Sequence, residues 1–449
     1  MPRFDFDQTR IPNLHYPRSV LSYLGAFAIR KSLPGPAVHN FLTNSKPSGR
    51  ILLLSIGKAA EEMSAAAYEI LKDQIFAGMI LTKYGHTSGK KFPPLEILEA
   101  GHPIPDANSI LGGKRILELC SLLKPEDTVL VLLSGGGSAL MEVPAEGLEL
   151  EDLISWNSKL LASGAEIQDV NSVRILLSSI KGGGLLSKIL PSKSITLILS
   201  DVLGDDLSKV ASGPTIPSRI ENNSILRIFK KYNLSTDSKL ESILDRRVQE
   251  NQRPTMSKEN PSSSKSTPFD EKRNSVESIG NVSQTLAHLQ EECKNLNIPV
   301  LLYTSSLNGE AKEAGYSLAS LALKKLKDTT GPLLILCGGE TTVTHDGKGK
   351  GGRNQELALA FAEKISGQRG ITFLSLATDG SDGPTDAAGA IVDGSTWKKI
   401  EESTDPQAAL RTHNSYEALK TADCLVFTGA TGTNVNDIQF LWIDPNEER

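Results

Sequence analysis

The chain has few of the residues that mark disulfide-linked, zinc-binding or membrane proteins. It contains four cysteines among 449 residues, and none is spaced as in a CxxC or Cys/His metal motif. We therefore predict buried, reduced thiols, as in most cytosolic proteins. No apolar run approaches the roughly 20 residues of a transmembrane helix, so we expect no membrane partner.

Targeting signals are also missing. Residues 1–19 contain no apolar stretch like that of a secretory signal peptide, and their two aspartates are unusual in a mitochondrial presequence. We therefore predict a cytoplasmic protein, with a mitochondrial location as the alternative.

Several common ligand-binding motifs are absent. The formal net charge of −5 and the lack of a basic stripe with aromatic residues argue against nucleic acid as a partner. No GxGxxG follows the first predicted strand, so a dinucleotide cofactor has little local support. Residues 85–91 are one residue short of a P-loop, and Ser134 and Ser138 lack the GxSxG context of hydrolases.

Short apolar runs recur along the chain, with helical patterns between several of them. They occupy residues 50–56, 77–82, 128–133, 195–199, 299–303, 332–336, 372–376 and 424–427. This alternation predicts an α/β fold with a mostly parallel sheet covered on both faces. Ligands should then bind beyond the carboxyl ends of the strands. Residues 249–277 contain too few large apolar side chains to order themselves, which predicts a disordered insertion.

Glycine-rich loops follow the apolar runs. The run 128–133 leads directly into Ser134, Gly135, Gly136, Gly137 and Ser138, where a predicted helix start would expose backbone N–H groups to a phosphate. Lys181 and Gly182, in a similar loop, are predicted as further ATP or phosphate contacts. Phosphate cradles, cations and carboxylates together are the components of phosphoryl transfer, and they predict a small-molecule kinase.

Charged residues at predicted strand ends are the catalytic candidates. Lys58 follows the first strand and offers a mobile cation for a moving phosphoryl group, although a solvated lysine in a glycine turn is the alternative. Asp201 follows the run 195–199 and is predicted to bind Mg²⁺ or to act as base toward a substrate hydroxyl. Arg353, at a predicted helix start, is expected to stabilise phosphoryl oxygens.

Other polar side chains are predicted to hold the substrate and the metal. Arg174 suits bidentate capture of a carboxylate or phosphate, with Asn171 beside it, but an ordinary amphipathic helix explains the pattern equally well. Glu340 follows two glycines and is expected near the substrate. Asp379 and Asp382 follow the run 372–376 and are the candidate Mg²⁺ ligands.

Taken in order, these loops resemble those of the glycerate kinases of the MOFRL type, also called class II glycerate 2-kinases. The resemblance runs from about residue 17 to residue 443, apart from the low-complexity insertion. Its motifs are Gly57-Lys58-Ala59, GHPIPD at 101–106, SGGGS at 134–138, NSVR at 171–174, KGG at 181–183, DVLGD at 201–205, SGPT at 212–215, GGE at 338–340, GGRNQE at 351–356, DGSDG at 379–383 and TGATGTN at 428–434.

The resemblance implies ATP-dependent phosphorylation of D-glycerate with Mg²⁺, with the 2-hydroxyl favoured over the 3-hydroxyl. It also implies an N-terminal Rossmann-like, three-layer domain over residues 1–248 and a smaller C-terminal α/β domain over residues 278–449, with the active site in the cleft between them. In the family, the residues matching Lys58 and Asp201 are regarded as catalytic, and the arginine matching Arg353 lies at the active site. A monomer or a homodimer is expected.

Two residues depart from the family pattern. Ile175 stands where a basic residue is usual, and Gly184 stands where arginine is usual. Two alternatives remain beside the kinase, and these two departures prompt the second of them. One is a hydroxypyruvate reductase, a name given to some relatives, and the other is a catalytically inactive relative that still binds its ligand.

Overall fold

A computed structural model of the chain describes residues 12–202, 204, 206–218, 222–252, 273–344 and 349–446. The strands are β1 (Ile51–Ile56), β2 (Ile75–Lys83), β3 (Leu95–Ala100), β4 (Thr128–Leu133), β5 (Lys193–Leu199), β6 (Asn274–Gly280), β7 (Val300–Leu307), β8 (Leu333–Gly339), β9 (Ile371–Ala377), β10 (Gly389–Asp393), β11 (Leu425–Val426) and β12 (Asp437–Ile443).

The helices alternate with these strands over most of the chain. They are α1 (Pro17–Ser32), α2 (Pro34–Asn44), α3 (Ala60–Leu71), α4 (Ala107–Cys120), α5 (Gly137–Leu140), α6 (Leu150–Ala162), α7 (Ile167–Leu176), α8 (Gly184–Ile189), α9 (Asn222–Lys231), α10 (Ser238–Gln252), α11 (Val282–Asn295), α12 (Ala311–Asp328), α13 (Arg353–Lys364), α14 (Thr396–Glu401), α15 (Pro406–Arg411) and α16 (Ser415–Thr421), with a 3₁₀ segment at Leu207–Ser212.

The chain divides into two compact units, each built on one six-stranded sheet. The first-sheet unit comprises the described residues within 34–200 and 206–279, and the second-sheet unit those within 1–33, 201–205 and 280–449. The predicted domain limits at residues 248 and 278 stay a prediction. Most of the predicted insertion at 249–277 lies outside the described residues, since α10 ends at Gln252 and β6 begins at Asn274.

The first sheet has the strand order β3-β2-β1-β4-β5-β6, and its strands from β3 to β5 are parallel. β1 and β4 are buried along their whole length, as expected for central strands covered on both faces. From β1 the chain builds outward to β2 and β3, then returns to the other side of β1 as β4. This reversal of strand order is a topological switch point, the place where open α/β sheets bind their ligands.

The second sheet has the order β11-β10-β9-β12-β8-β7 and is mixed. β12 is antiparallel to both β8 and β9, while β7 and β8 are parallel. The buried face of α13, which includes Leu357 and Phe361, packs with Phe373 of β9 in one core. On the other core of this unit, Leu21 and Leu24 of α1 pack with residues of α11 and β12. The predicted α/β fold with a mostly parallel sheet is confirmed, and the second sheet adds antiparallel pairs.

The four cysteines are buried and free. Burial raises the pKa of Cys120, Cys293 and Cys337 to about 12, which keeps these thiols protonated at neutral pH. The predicted reduced core thiols therefore agree with the structure. In the described part of the chain, no helix combines the length and the apolar character needed to cross a membrane.

Candidate functional site

The loops after β1 and β4 lock together at the switch point. The Lys58 N–H donates to the Gly135 carbonyl at 2.9 Å, and the Ala59 N–H donates to Ser134 Oγ at 3.1 Å. A Cβ on Gly57, whose φ is +130°, would lie 2.1 Å from Ser134 Oγ, so only glycine fits there. Ser134 thus fixes the backbone that presents Lys58, and its own side chain is fully buried.

Gly136 leaves space for two side chains that can carry positive charge. Its φ is +88°, and a Cβ there would lie 3.1 Å from the His102 ring and 3.3 Å from Lys58 Cγ. His102 follows β3, Lys58 follows β1 and Gly136 follows β4, so three strand ends meet at this point. No role was predicted for His102, although its place inside the GHPIPD motif at 101–106 was a usable signal.

Ser138 and the second glycine loop are both tied to the 3₁₀ segment. Ser138 Oγ lies 2.8 Å from Ser212 Oγ, and the Gly182 N–H donates to the Ser212 carbonyl at 2.9 Å. A Cβ on Gly137 would lie 2.7 Å from Ala211 Cβ. The structure therefore brings residues 134–138 and Gly182 into one connected set of loops.

Lys181 has a buried partner of its own. Its ammonium group forms an ion pair with Glu142, and both side chains are almost completely buried. Ser178 Oγ also donates to Glu142. A lysine paired in this way holds two loops together and does not present a free charge to solvent. The phosphate contact predicted for Lys181 stays a prediction, and the structure offers a structural role instead.

Arg174 is likewise engaged within its own unit. Its Nε and Nη2 donate to Asn157 Oδ1 at 3.1 and 2.5 Å, and burial lowers its pKa below the ordinary value. Asn171 lies one turn earlier on α7 and is half-buried. The substrate contacts predicted for both residues stay predictions.

The two departures from the family pattern lie against the same glycine loop. A Cβ on Gly182 would lie 2.4 Å from Ile175 Cγ2, so the isoleucine side chain packs directly on that loop. A Cβ on Gly184 would lie 2.3 Å from the Ser179 carbonyl oxygen, so this position has no room for a side chain. A cavity of about 600 Å³ adjoins the loop and is lined by Gly182–Gly184, Lys188 and Arg246 among others.

Arg353 is the centre of the charged cluster in the second-sheet unit. It begins α13, and its Nε and Nη2 donate to the two carboxylate oxygens of Asp437 at 2.6 and 3.1 Å. Its Nη1 donates to Glu340 Oε1 at 2.5 Å. Burial opposes the charge, but Asp437 and Glu340 outweigh it and raise the pKa of Arg353. Asp437, which sequence reasoning missed, opens β12 opposite Gly339 and Ala377.

The Asp382 carboxylate is hydrogen-bonded to the start of α13. Its carboxylate oxygens accept the N–H groups of Asn354 and Gln355 at 3.0 and 2.9 Å, and burial raises its pKa to about 6. A Cβ on Gly352 would lie 2.3 Å from Asp382 Cγ, so the glycine permits this close approach. Asp379 Oδ1 accepts the Ser381 N–H at 3.0 Å. Among the described residues, no group of three or more acidic, histidine or cysteine side chains is arranged to hold a metal ion. The Mg²⁺ contacts predicted for Asp379 and Asp382 stay predictions.

Asp201 follows β5 but belongs to the second-sheet unit. Its Oδ2 accepts a hydrogen bond from Asn434 Nδ2 at 3.0 Å. Asn434 lies in the segment that leads from β11 into β12 and is 7% exposed. A half-exposed carboxylate with a buried amide behind it is a suitable group to accept a proton from a substrate hydroxyl.

Two family models match this chain, one in its N-terminal part and one in its C-terminal part. A family model described as a domain of unknown function (DUF4147) matches residues 20–245, and a model described as the MOFRL family matches residues 333–437. A D-glycerate 2-kinase from Thermotoga maritima is 43% identical over 394 residues, which cover 87% of this chain and 89% of the relative.

A further relative carries a different name. It comes from Agrobacterium vitis, is provisionally named a hydroxypyruvate reductase, and is 37% identical over 95% of this chain and 94% of its own length. Among solved structures, a crystal structure of glycerate kinase from Thermotoga maritima aligns with a TM-score of 0.81 and 40% identity. The alignment covers 94% of this chain and 98% of the crystallised one.

Proposed function

This chain belongs to the MOFRL-type family of glycerate kinases, and we propose that it transfers the γ-phosphoryl group of ATP to D-glycerate. The observation that carries the proposal is the 43% identity, over most of both chains, to a relative named D-glycerate 2-kinase. That name also supports the 2-hydroxyl as the acceptor, with 2-phosphoglycerate as the product.

Lys58 and the glycine loop after β4 are the proposed contacts for the phosphates of ATP. They meet at the switch point of the first sheet, where open α/β sheets bind their ligands. His102 joins them because its ring lies against Gly136. Positioning and charge neutralisation are the main requirements of phosphoryl transfer, and a lysine on a fixed backbone supplies both.

Asp201 is the proposed base for the glycerate hydroxyl, and Arg353 is the proposed contact for an anionic group of the substrates. Asp201 is oriented by Asn434, and Arg353 by Asp437. Glu340 lies on the exposed side of Arg353, so a substrate carboxylate would compete with it for Nη1. Mg²⁺ enters this proposal as the ion that accompanies ATP, since magnesium in kinase sites is usually bound by substrate phosphates together with one or two carboxylates.

The test is a coupled ADP-release assay with ATP, Mg²⁺ and D-glycerate. Wild-type protein should release ADP only when D-glycerate is present, and Lys58→Ala and Asp201→Asn should each lower kcat by at least about a hundredfold, as expected for groups that act in the transition state. Lys83→Ala is the matched control, because Lys83 lies at the end of β2 and has no proposed role. Near-normal turnover of both active-site variants would refute the assignment.

A hydroxypyruvate reductase is the second candidate, because the Agrobacterium vitis relative carries that name. Reduction by NADH requires a nicotinamide site, and the loop after β1 lacks the glycine pattern of dinucleotide-binding folds. We expect no oxidation of NADH in the presence of hydroxypyruvate. A steady loss of absorbance at 340 nm would favour the reductase.

The inactive-relative alternative depends on Ile175 and Gly184. Both residues are accommodated by the local packing, because Ile175 contacts Gly182 and the space beside Gly184 is occupied by the Ser179 carbonyl. We therefore expect turnover. Binding of ATP without any release of ADP would favour the inactive relative.

A further inference from the structure

The segment that joins β11 to β12 is fixed by hydrogen bonds on both sides of the buried Asn434. Thr433 Oγ donates to the Ser32 carbonyl, and the Val435 N–H donates to Thr378 Oγ at 3.0 Å. The Thr378 hydroxyl in turn donates to the Asn436 carbonyl at 2.6 Å. These bonds fix the backbone immediately before and after Asn434, so its side chain has a defined direction.

That direction is toward the Asp201 carboxylate. Asn434 Nδ2 lies 3.0 Å from Asp201 Oδ2, and both residues belong to the second-sheet unit. An ionised carboxylate only accepts hydrogen bonds, so the amide must turn its NH₂ group toward it. Such a donor orients the carboxylate and favours its ionised form, the form in which Asp201 is able to accept a proton.

We propose that Asn434 is a positioning residue for the phosphoryl transfer, holding Asp201 in the orientation and the ionised state in which it accepts the proton of the substrate hydroxyl. The inference rests on the proposed function, because it acts through the base role of Asp201. The proton moves from the glycerate hydroxyl to Asp201, while the new bond forms between that oxygen and the γ-phosphorus and the bond to ADP breaks.

Three substitutions at position 434 distinguish the effect of the hydrogen-bond donor from the effect of side-chain volume. Asn434→Ala removes the donor and should lower kcat about 10- to 100-fold with little change in KM, since hydrogen bonds to charged groups are worth that much. Asn434→Asp keeps the shape but places a second carboxylate beside Asp201, so it should lose more activity than alanine. Asn434→Gln keeps an amide and should recover part of the loss. Asn446→Ala, which removes an exposed amide bonded to the Thr330 carbonyl, is the matched control.

The pH profile distinguishes positioning from a structural defect. Loss of the donor should move the acid limb of kcat/KM to higher pH, because the carboxylate then protonates more readily. In the Asp201→Asn background, adding Asn434→Ala should change kcat by less than about threefold, because the group it positions is already gone. A structural role alone would leave the acid limb in place and would lower kcat in both backgrounds.

The outcomes separate this inference from the proposed function. Wild-type protein that forms no phosphoglycerate would overturn the proposed function and, with it, the role of Asn434 in that reaction. Active wild-type protein with an unaffected Asn434→Ala variant would overturn the role of Asn434 alone. A lowered kcat, a shifted acid limb and no further loss in the Asp201→Asn background would together support the proposal.

Discussion

Removing Arg353 should destabilise the second-sheet unit in a pH-dependent way. Arg353 donates two hydrogen bonds to Asp437, whose side chain is 1% exposed, and one to Glu340, which is 43% exposed. Arg353→Met therefore leaves a buried carboxylate without its partner, which typically costs about 3–5 kcal/mol. The exposed pair with Glu340 contributes less than about 1 kcal/mol. The broken ion pair with Asp437 therefore accounts for most of the expected decrease in the free energy of unfolding.

The sign of the pH dependence follows from burial of Asp437. Burial already raises the pKa of Asp437, and loss of the nearby guanidinium should raise it further. The folded variant would then bind a proton that the unfolded chain has released, so its stability should fall as the pH rises from about 4 through the folded pKa. We expect a smaller loss at pH 5 than at pH 8.

Urea denaturation with tryptophan fluorescence measures this effect. A Trp156→Phe background removes the tryptophan of the first-sheet unit and leaves Trp397 and Trp442, both in the second-sheet unit. Adding Asp437→Asn to Arg353→Met should recover part of the loss, because the buried charge is gone. Equal urea midpoints for Arg353→Met and its parent, or a loss of stability independent of pH, would contradict the stabilising role of the Arg353–Asp437 pair.

Two further predictions concern other buried positions. Gly184→Ala should cost about 1–3 kcal/mol and lower the urea midpoint, because the new Cβ would lie 2.3 Å from the Ser179 carbonyl oxygen; an unchanged midpoint would contradict that close contact. Asp382, with a pKa raised to about 6 by burial, should make the wild type lose stability as the pH rises from about 4 to 7. Asp382→Asn should lack that decline in pH-dependent melting experiments, and a parallel decline in both proteins would count against it.

The sequence predicted the strands of the first sheet well where they are continuously apolar. The run 128–133 is β4, and the loops after β1 and β4 meet as expected from the parallel arrangement. β3 was missed because its residues LEILEA include two glutamates that interrupt the apolar run, as an outer strand with exposed residues allows. β12 was missed because it begins with Asp437 directly after a long loop and contains a glutamine.

The partners of the charged residues were beyond sequence reasoning. Lys181 pairs with Glu142 and Arg353 with Asp437, and neither pair shares a helix or a loop. A sequence pattern identifies a cation at a strand or helix end, but it does not show whether a carboxylate far along the chain already neutralises it. For this reason, the roles predicted for Lys181 and Arg353 could be assessed only once the fold was known.

The glycines predicted the loop packing better than the charged residues did, because the need for a glycine depends on the local backbone and its immediate neighbours. Gly57 and Gly136 both have positive φ, and a Cβ on Gly57 would overlap Ser134, so glycines after apolar runs pointed directly to packed loops at the sheet edge.

The most direct test of the proposed kinase activity is ³¹P NMR of the product formed from ATP, Mg²⁺ and D-glycerate. We expect ADP and a phosphomonoester resonance that matches added 2-phosphoglycerate, with no signal from inorganic phosphate beyond the control. A resonance that matches 3-phosphoglycerate would contradict the proposed acceptor hydroxyl. No phosphoglycerate at all, with ATP unchanged, would contradict the proposed kinase.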